Sequence, residues 1–406
     1  MRWLALAGLL VGCDSVPHPA DPVAVLHESA IVIDGHSDTT PWFQDPEWDF
    51  LALHDDGHQD LPRMRAGGLD AQFWSIYLPE TPGDGRAVKL ALERIDAVHE
   101  LVRRHPEELG LATTAADVRR IVGEGRVASL LGLEGGHMIE DSLPVLRTYQ
   151  ALGVRYMTLT HSFHTSWADS SGTSEVPEPE HDGLTEFGGE VVREMNRLGM
   201  LVDVSHVADS TFWDVLAVSR APVIASHSSV RAVADHPRNL SDDMLRALGE
   251  NGGVVMINFY PGYIDPRAVA PLREFMLAIR PQIGALYESL ADDPVARRRA
   301  VRALFREASA ERELPRAPLG VLLDHFDRAI AVAGPDHVGL GADWDGVPSM
   351  PEGLEDVSHL PALTRGLLER GHSEEVVRKV LGENLLRVLA QAESLQQRNH
   401  VKGNGP

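Results

Sequence analysis

The chain holds a single cysteine, Cys13, in 406 residues. No intramolecular disulfide can form, and no zinc site built on paired cysteines is available. It is poor in lysine, with Lys89, Lys379 and Lys402 alone among its 37 basic residues. Aromatic residues are only 6%. No apolar run reaches the roughly 20 residues that span a bilayer as a helix. Positive charge is also scarce, since 37 basic against 60 acidic residues leave a net −23. A surface that acidic repels phosphate backbones, which argues against a nucleic-acid partner. The remaining composition, 43% hydrophobic and 24% charged, is that of a globular protein. Disordered, collagenous and polytopic membrane classes are excluded.

Histidine, by contrast, is plentiful, with 19 in the chain. With cysteine gone, imidazole and carboxylate are the ligand types left for a metal.

Residues 1–13 read MRWLALAGLLVGC. Arg2 precedes a short apolar run, the form of an export signal. The ending LVGC resembles a bacterial lipobox, in which the cysteine is lipidated and becomes the new first residue. The expectation is an exported protein held at the cell envelope by a lipid on Cys13. An ordinary signal peptide with an incidental cysteine is the alternative. Cleavage there would remove Arg2 and leave 36 − 60 = −24. Residues 14–28, polar and proline-containing, read as a tether.

Eight short apolar or β-branched runs follow, at 31–34, 71–78, 127–133, 155–160, 201–204, 222–225, 253–259 and 337–341. Helix-like stretches at 85–105, 184–198, 208–218 and 242–250 lie between them. Strands alternating with helices predict a parallel sheet covered by helices, and eight of them predict a (β/α)8 barrel, a TIM-like α/β fold, over 29–392. A doubly wound sheet is disfavoured because no glycine-rich phosphate loop follows the first strand. The stretch 266–318, rich in arginine and glutamate, breaks the rhythm. It reads as a helical insertion between strands seven and eight: a solvated excursion, a lid, or an oligomer contact such as a homodimer's. A final amphipathic helix is expected at 372–392 and a polar, frayed tail at 393–406.

The chemistry gathers where these strands end. The first ends in DGHSD, carrying His36 and Asp38. Residues two apart in an extended segment face one side, so this pair can share a metal. The third ends at Glu134, the fourth at His161, the fifth at His206, the sixth at His227 and the eighth at Asp343. A single strand-end histidine is more often a core residue than a ligand. Six strands ending in ionisable groups all point to one barrel face, where catalytic loops gather. Collecting such groups together is costly without a cation. The set suggests two ions. His36 and Asp38 make one half-site, His206 and His227 the other, with Glu134 between them. Ions so held lie roughly 3.5–4 Å apart and share a water that ionises near neutral pH. Mixed imidazole and carboxylate ligands suit Zn²⁺, with Mn²⁺ or Co²⁺ as substitutes.

At this point the chain resembles a known family, the membrane (renal-type) dipeptidases, zinc peptidases of the amidohydrolase superfamily. The resemblance rests on VIDGHSD at 32–38, GLEGGH at 132–137, YMTLTHSFHTSWAD at 156–169, VDVSH at 202–206, PVIASHSS at 222–229, HPRNLSD at 236–242, GGVVMINFY at 252–260, HVGLGADWDG at 337–346, EGLEDV at 352–357 and GENLLRV at 382–388. It runs in order from about residue 28 to 392. It implies that His36, Asp38, Glu134, His206 and His227 hold two Zn²⁺ ions, bridged by Glu134 and a water or hydroxide. It implies that His161 contacts the scissile region, Arg238 binds the substrate carboxylate and Asp343 handles the proton. The implied reaction is hydrolysis of L,L- and L,D-dipeptides. A structural salt bridge is the alternative role for Arg238. His137, His164 and His236 lie in matched motifs and read as loop or supporting residues, Asp345 as a tie for the loop after strand eight, and Trp167 and Trp344 as pocket walls.

The chain departs from the family pattern in three places. Ser37 replaces the usual asparagine of the first motif, Thr39-Thr40 replaces Leu-Pro, and the 266–318 segment is longer than expected. Related barrels cleave N-acyl amino acids or lactones, several of them with a carboxylated lysine as bridge. Glu134 and the scarcity of lysine favour the dipeptidase branch. A non-catalytic peptide-binding lipoprotein would be favoured by a missing ligand, and none is missing.

Overall fold

Residues 21–79, 85–173 and 175–403 are described by the computed structural model of the protein, with side chains through residue 396. The expected leader, Cys13 and the first part of the tether lie outside these residues. Among the described residues, nine strands pair in parallel. They are β1 (Ile33–Ser37), β2 (Ala71–Tyr77), β3 (Leu109–Leu111), β4 (Val127–Glu134), β5 (Val154–Thr158), β6 (Leu201–Asp203), β7 (Ile224–Ser228), β8 (Val254–Ile257) and β9 (Val338–Leu340). The order β2-β1-β9-β8-β7-β6-β5-β4 closes on itself because β2 also pairs with β4. The eight-stranded parallel barrel expected from the sequence is therefore present. β3 pairs only with the start of β4. It was not anticipated, because three residues carry no readable period.

Strands buried on both faces read as continuous apolar runs, and β4 (VASLLGLE) is buried throughout. Inside the barrel, Phe73, Leu130, Tyr156, Ile224 and Met256 form one cluster with Leu385, Leu386 and Leu389 of the last helix. Helices Ala87–Arg104, Glu186–Leu198, Asp209–Val218 and Asp242–Glu250 fall where the periodicity put them. Thr185 and Ser241 cap two of them, accepting from Gly188 N and Met244 N.

Two terminal expectations are corrected. Part of the presumed tether is a helix, Pro22–Ser29, capped by Asp21 and started by Pro22. His27 pins it, with Nδ1 2.7 Å from Thr364 Oγ1 and Nε2 2.8 Å from the Gly67 carbonyl. At the other end, the helix Asn384–Gly403 runs on into the stretch expected to fray. Buried Ala392 and half-buried Glu393, which accepts from Ala115 N at 2.8 Å, anchor its continuation. Between β8 and β9 lie helices Pro266–Ser289 and Pro294–Ala310. The second buries no residue.

One buried histidine makes a stability prediction. His325 Nδ1 accepts from Val230 N at 3.0 Å, and its Nε2 lies 2.9 Å from the Ile264 carbonyl. Both nitrogens are committed to one neutral tautomer. Burial pulls its pKa from 6.5 to about 4. Between those values the unfolded chain binds a proton that the folded chain does not. The contribution is complete above pH 6.5 and lost as pH falls toward 4, by roughly 3 kcal/mol. Denaturant unfolding of wild type should weaken more between pH 7 and pH 4.5 than that of His325→Gln. Equal losses would contradict this assignment.

Candidate metal centre

The sequence places ionisable groups at the strand ends, and the backbone brings them to one point. β1 and β7 extend further than their apolar runs, so His36 and His227 lie within strands. Register shifts between Asp34 and Ser37 and between Ala225 and Ser228 mark local irregularities around both. His206 (φ 65°) and Asp343 (φ 67°) adopt the left-handed region that most residues avoid. Such strain concentrates at functional sites.

Glu134 is the hub. Its Oε2 lies 3.4 Å from His36 Nε2, and its Oε1 lies 3.2 Å from His206 Nε2 and 3.3 Å from His227 Nε2. His161 Nε2 is 3.8 Å from the same Oε1. Asp38 Oδ2 is 3.5 Å from His36 Nε2. Ligand atoms fall into three groups, each within 4.8 Å: His36, Glu134 and His227; Glu134, His161 and His206; His36, Asp38 and Asp343. Glu134 thus belongs to two candidate metal sites. Gly346 lets two carboxylates approach, since a Cβ there would sit 2.3 Å from Asp38 Oδ2 and 2.4 Å from Asp343 Oδ1.

The supporting hydrogen bonds free the lone pairs that a metal needs. Ser226 Oγ donates to Asp203 Oδ2 at 2.6 Å and accepts from His227 Nδ1 at 2.8 Å. Tyr156 donates to the Gly35 carbonyl and accepts from His36 Nδ1 at 2.9 Å. In both histidines Nδ1 is thereby engaged and Nε2 faces the centre. The buried Nε2 of His36 has no hydrogen-bond partner. A cation would satisfy it, so the residues present fit two metal ions.

The electrostatics agree. Burial, then Arg238 and His161, hold the His206 pKa far below the usual imidazole value; burial and His36 do the same for His227. Neutral imidazole is the ligating form. Burial opposes ionising Glu134, but His36, His206 and His227 outweigh it and hold its pKa well below the carboxylate range. Burial also opposes charge on His36, yet Tyr156, Glu134 and Asp38 raise its pKa well above normal. The site thus demands positive charge. Burial raises Asp343 to about 6, with His36 opposing and Asp38 adding to the rise. Asn258 Nδ2 donates to Asp343 Oδ2 at 2.9 Å.

Arg238 is 2% exposed and, among the described residues, makes no ion pair. Its Nη2 donates to the His227 carbonyl at 3.1 Å, and Nη1 reaches Ser228 Oγ at 3.4 Å. Among the described residues no salt-bridge partner supports a structural role for it. It does not itself line the cavity; Tyr263, whose ring lies 5.4 Å from the guanidinium, does. His236 lines the cavity too, whereas His164 holds a loop, accepting from Ser170 N at 2.9 Å. Asp345 accepts from Thr39 Oγ1 and His58 N, both at 2.6 Å, and ties the loop after β9 to the first motif. Ser37 Oγ donates to Gln59 Oε1 at 2.7 Å, so the departures at Ser37 and Thr39 are absorbed by hydrogen bonds.

The pocket-wall reading of Trp167 and Trp344 is overturned. Both are at most 1% exposed and pack in the core, Trp344 against Phe259 and Trp167 against Phe187. Apolar bulk drew them inside. The cavity, about 1090 Å³, is walled instead by Trp42, Tyr77, Tyr260, Tyr263 and Tyr287. Sequence reasoning missed the roles of Asp203 and Tyr156, whose partners come from other strands. For Asp203 the one available signal was its place in VDVSH.

Solved structures of similar fold match most of the chain. The probable dipeptidase PvdM from Pseudomonas aeruginosa is 27% identical, with 93% of this chain and 98% of that one covered and a TM-score of 0.77. A metallopeptidase from Rhodobacter sphaeroides, solved with a phosphinate mimic of the dipeptide L-Ala-D-Ala, is 27% identical, with 89% of this chain and 99% of that one covered and a TM-score of 0.72. Residues 21–403 match the family model described as membrane dipeptidase, peptidase family M19. The chain belongs to that family and is a metallodipeptidase.

Proposed function

We propose that the centre holds two zinc ions and hydrolyses the peptide bond of L,L- and L,D-dipeptides with a free C-terminal carboxylate. The observation that carries this reading is the division of Glu134, with one oxygen toward His36 and the other toward His206 and His227. His36 and Asp38 would hold one ion, and His206 and His227 the other. The mixed imidazole and carboxylate set suits zinc. Ions bound there supply Lewis acidity and a water acidic enough to react near neutral pH. The phosphinate mimic of L-Ala-D-Ala on the Rhodobacter relative supports tolerance of a D-residue.

The chain's own residues do the rest. His161, 16% exposed at its side chain, reaches the centre from the open side and would donate to the substrate carbonyl oxygen as it gains charge. Asp343 would take a proton and return it to the leaving amine, and Asn258 orients its carboxylate. Arg238 would bind the terminal carboxylate once the Tyr263 ring gives way.

The test compares free dipeptides with their C-terminal amides. Wild type should favour the free acid by about tenfold or more in kcat/KM, and Arg238→Met should erase that preference, mostly through KM. Equal cleavage of amide and acid by wild type would contradict the reading. Cleavage confined to N-acetylated substrates would move the enzyme to the acylase branch.

A further inference from the structure

Beyond the metal centre the cavity turns basic. The chain carries −23 overall, yet seven arginines line this one cavity. Apart from the metal centre and Asp345, which Thr39 and His58 hold, the acids that line it are Asp56, Glu93 and Glu288. Asp56 already pairs with Arg302, and Glu93 with Lys89.

Arg94, on the helix Ala87–Arg104, is only 7% exposed. Among the described residues it makes one long hydrogen bond, Nη1 to Thr40 Oγ1 at 3.4 Å, and no ion pair, and its Nε has no acceptor. Arg298, half-buried on the helix Pro294–Ala310, donates from Nη1 to Gln44 Oε1 at 3.2 Å, and its Nε too has no acceptor. Burial, and then Arg298, pull the Arg94 pKa down to about 10. The carboxylates that oppose them are already engaged, Asp38 at the metal centre for Arg94 and Asp45, held by Arg299, for Arg298, so an anion that joined the two guanidinium groups would offset the cost of burying them.

The barrel places this pair relative to Arg238. Arg94 follows β2 and Arg238 follows β7. In the closed ring β4, β5 and β6 separate those strands one way, and β8, β9 and β1 the other. The two arginine sites therefore rise from opposite sides of the barrel, with the metal centre at its mouth between them. A dipeptide whose terminal carboxylate lies toward Arg238 sends its amino-side residue toward Arg94.

We propose that Arg94 and Arg298 form an anion subsite for the side chain of the substrate's first residue, so that the enzyme prefers dipeptides beginning with aspartate or glutamate. This rests on the dipeptide orientation given under the proposed function.

The test uses two nearly isosteric substrates, L-Glu-L-Ala and L-Gln-L-Ala, with the zinc-loaded full chain. Wild type should favour the glutamyl substrate by about tenfold or more in kcat/KM. In Arg94→Gln and Arg298→Gln that ratio should fall toward one. Should buried Arg94→Gln fail to fold, Arg298→Gln decides. A second arm measures calorimetric binding of the same pair with the scissile amide reduced to CH2–NH, which needs no turnover. A ratio near one for wild type in either arm overturns the subsite, as does an unchanged ratio in the folded variants. Tenfold tighter binding of the glutamyl analogue without hydrolysis of either dipeptide would uphold the subsite and refute the proposed reaction.

Discussion

Glu134→Ala is expected to take the protein from two bound metal ions per chain to fewer than one, and dipeptide turnover to background. Glu134 is 2% exposed and stands among His36, His161, His206 and His227. It belongs to two of the three groups of candidate ligands, so its loss damages both half-sites. Four imidazoles would then face one another with only Asp38 and Asp343 to offset a dication. Lewis-acid stabilisation worth several kcal/mol vanishes with the ions, which converts to more than about a thousandfold in rate. Glu134→Gln keeps the shape, and keeps an acceptor for Ser75 Oγ, which now donates at 3.0 Å. It should retain more metal than the alanine variant but far less activity than wild type. Elemental analysis beside steady-state kinetics checks both, with circular dichroism to confirm folding. Two tightly held ions in Glu134→Ala would contradict the bridging assignment.

The second large effect is expected at Asp343. Asp343→Asn should lower kcat by about 10²–10⁴-fold, the usual worth of a positioned acid–base group, while metal content stays at two. Asparagine is the informative replacement. It nearly matches the shape, and it tolerates the left-handed backbone at φ 67° that an alanine would strain. It also fits beside Gly346, where no side chain intervenes between Asp343 and Asp38. A variant whose kcat stays within tenfold of wild type would show that the proton moves elsewhere. A variant that loses metal would show that Asp343 is a ligand rather than a proton carrier.

Much of this centre was legible in the sequence because parallel barrel strands advertise themselves as apolar runs, and their ends share one face. His36, Glu134, His206, His227 and Asp343 could each be read from a run and the residue that stops it. Their supports could not. Asp203, fully buried, orients His227 through Ser226 and also holds Thr158 at 2.5 Å, yet those partners sit on separate strands. Tyr156 reaches His36 across the barrel because Gly132 leaves room; a Cβ there would lie 2.0 Å from the ring. Nothing local encodes that approach. Trp167 and Trp344 were misplaced because their bulk suits a wall or a core equally, and packing decided. The helix Pro22–Ser29 was passed over although Asp21-Pro22 is a helix start, because proline in a polar stretch also reads as a linker. Arg94 and Arg298 line one cavity from helices about two hundred residues apart, beyond the reach of any sequence window.

The most direct measurement is a zinc titration of the chelated protein, with hydrolysis of a free dipeptide read at each addition. The centre described here predicts that activity keeps rising to two equivalents per chain and then levels off. Full activity at one equivalent, or activity that ignores chelation, would contradict a two-ion centre bridged by Glu134.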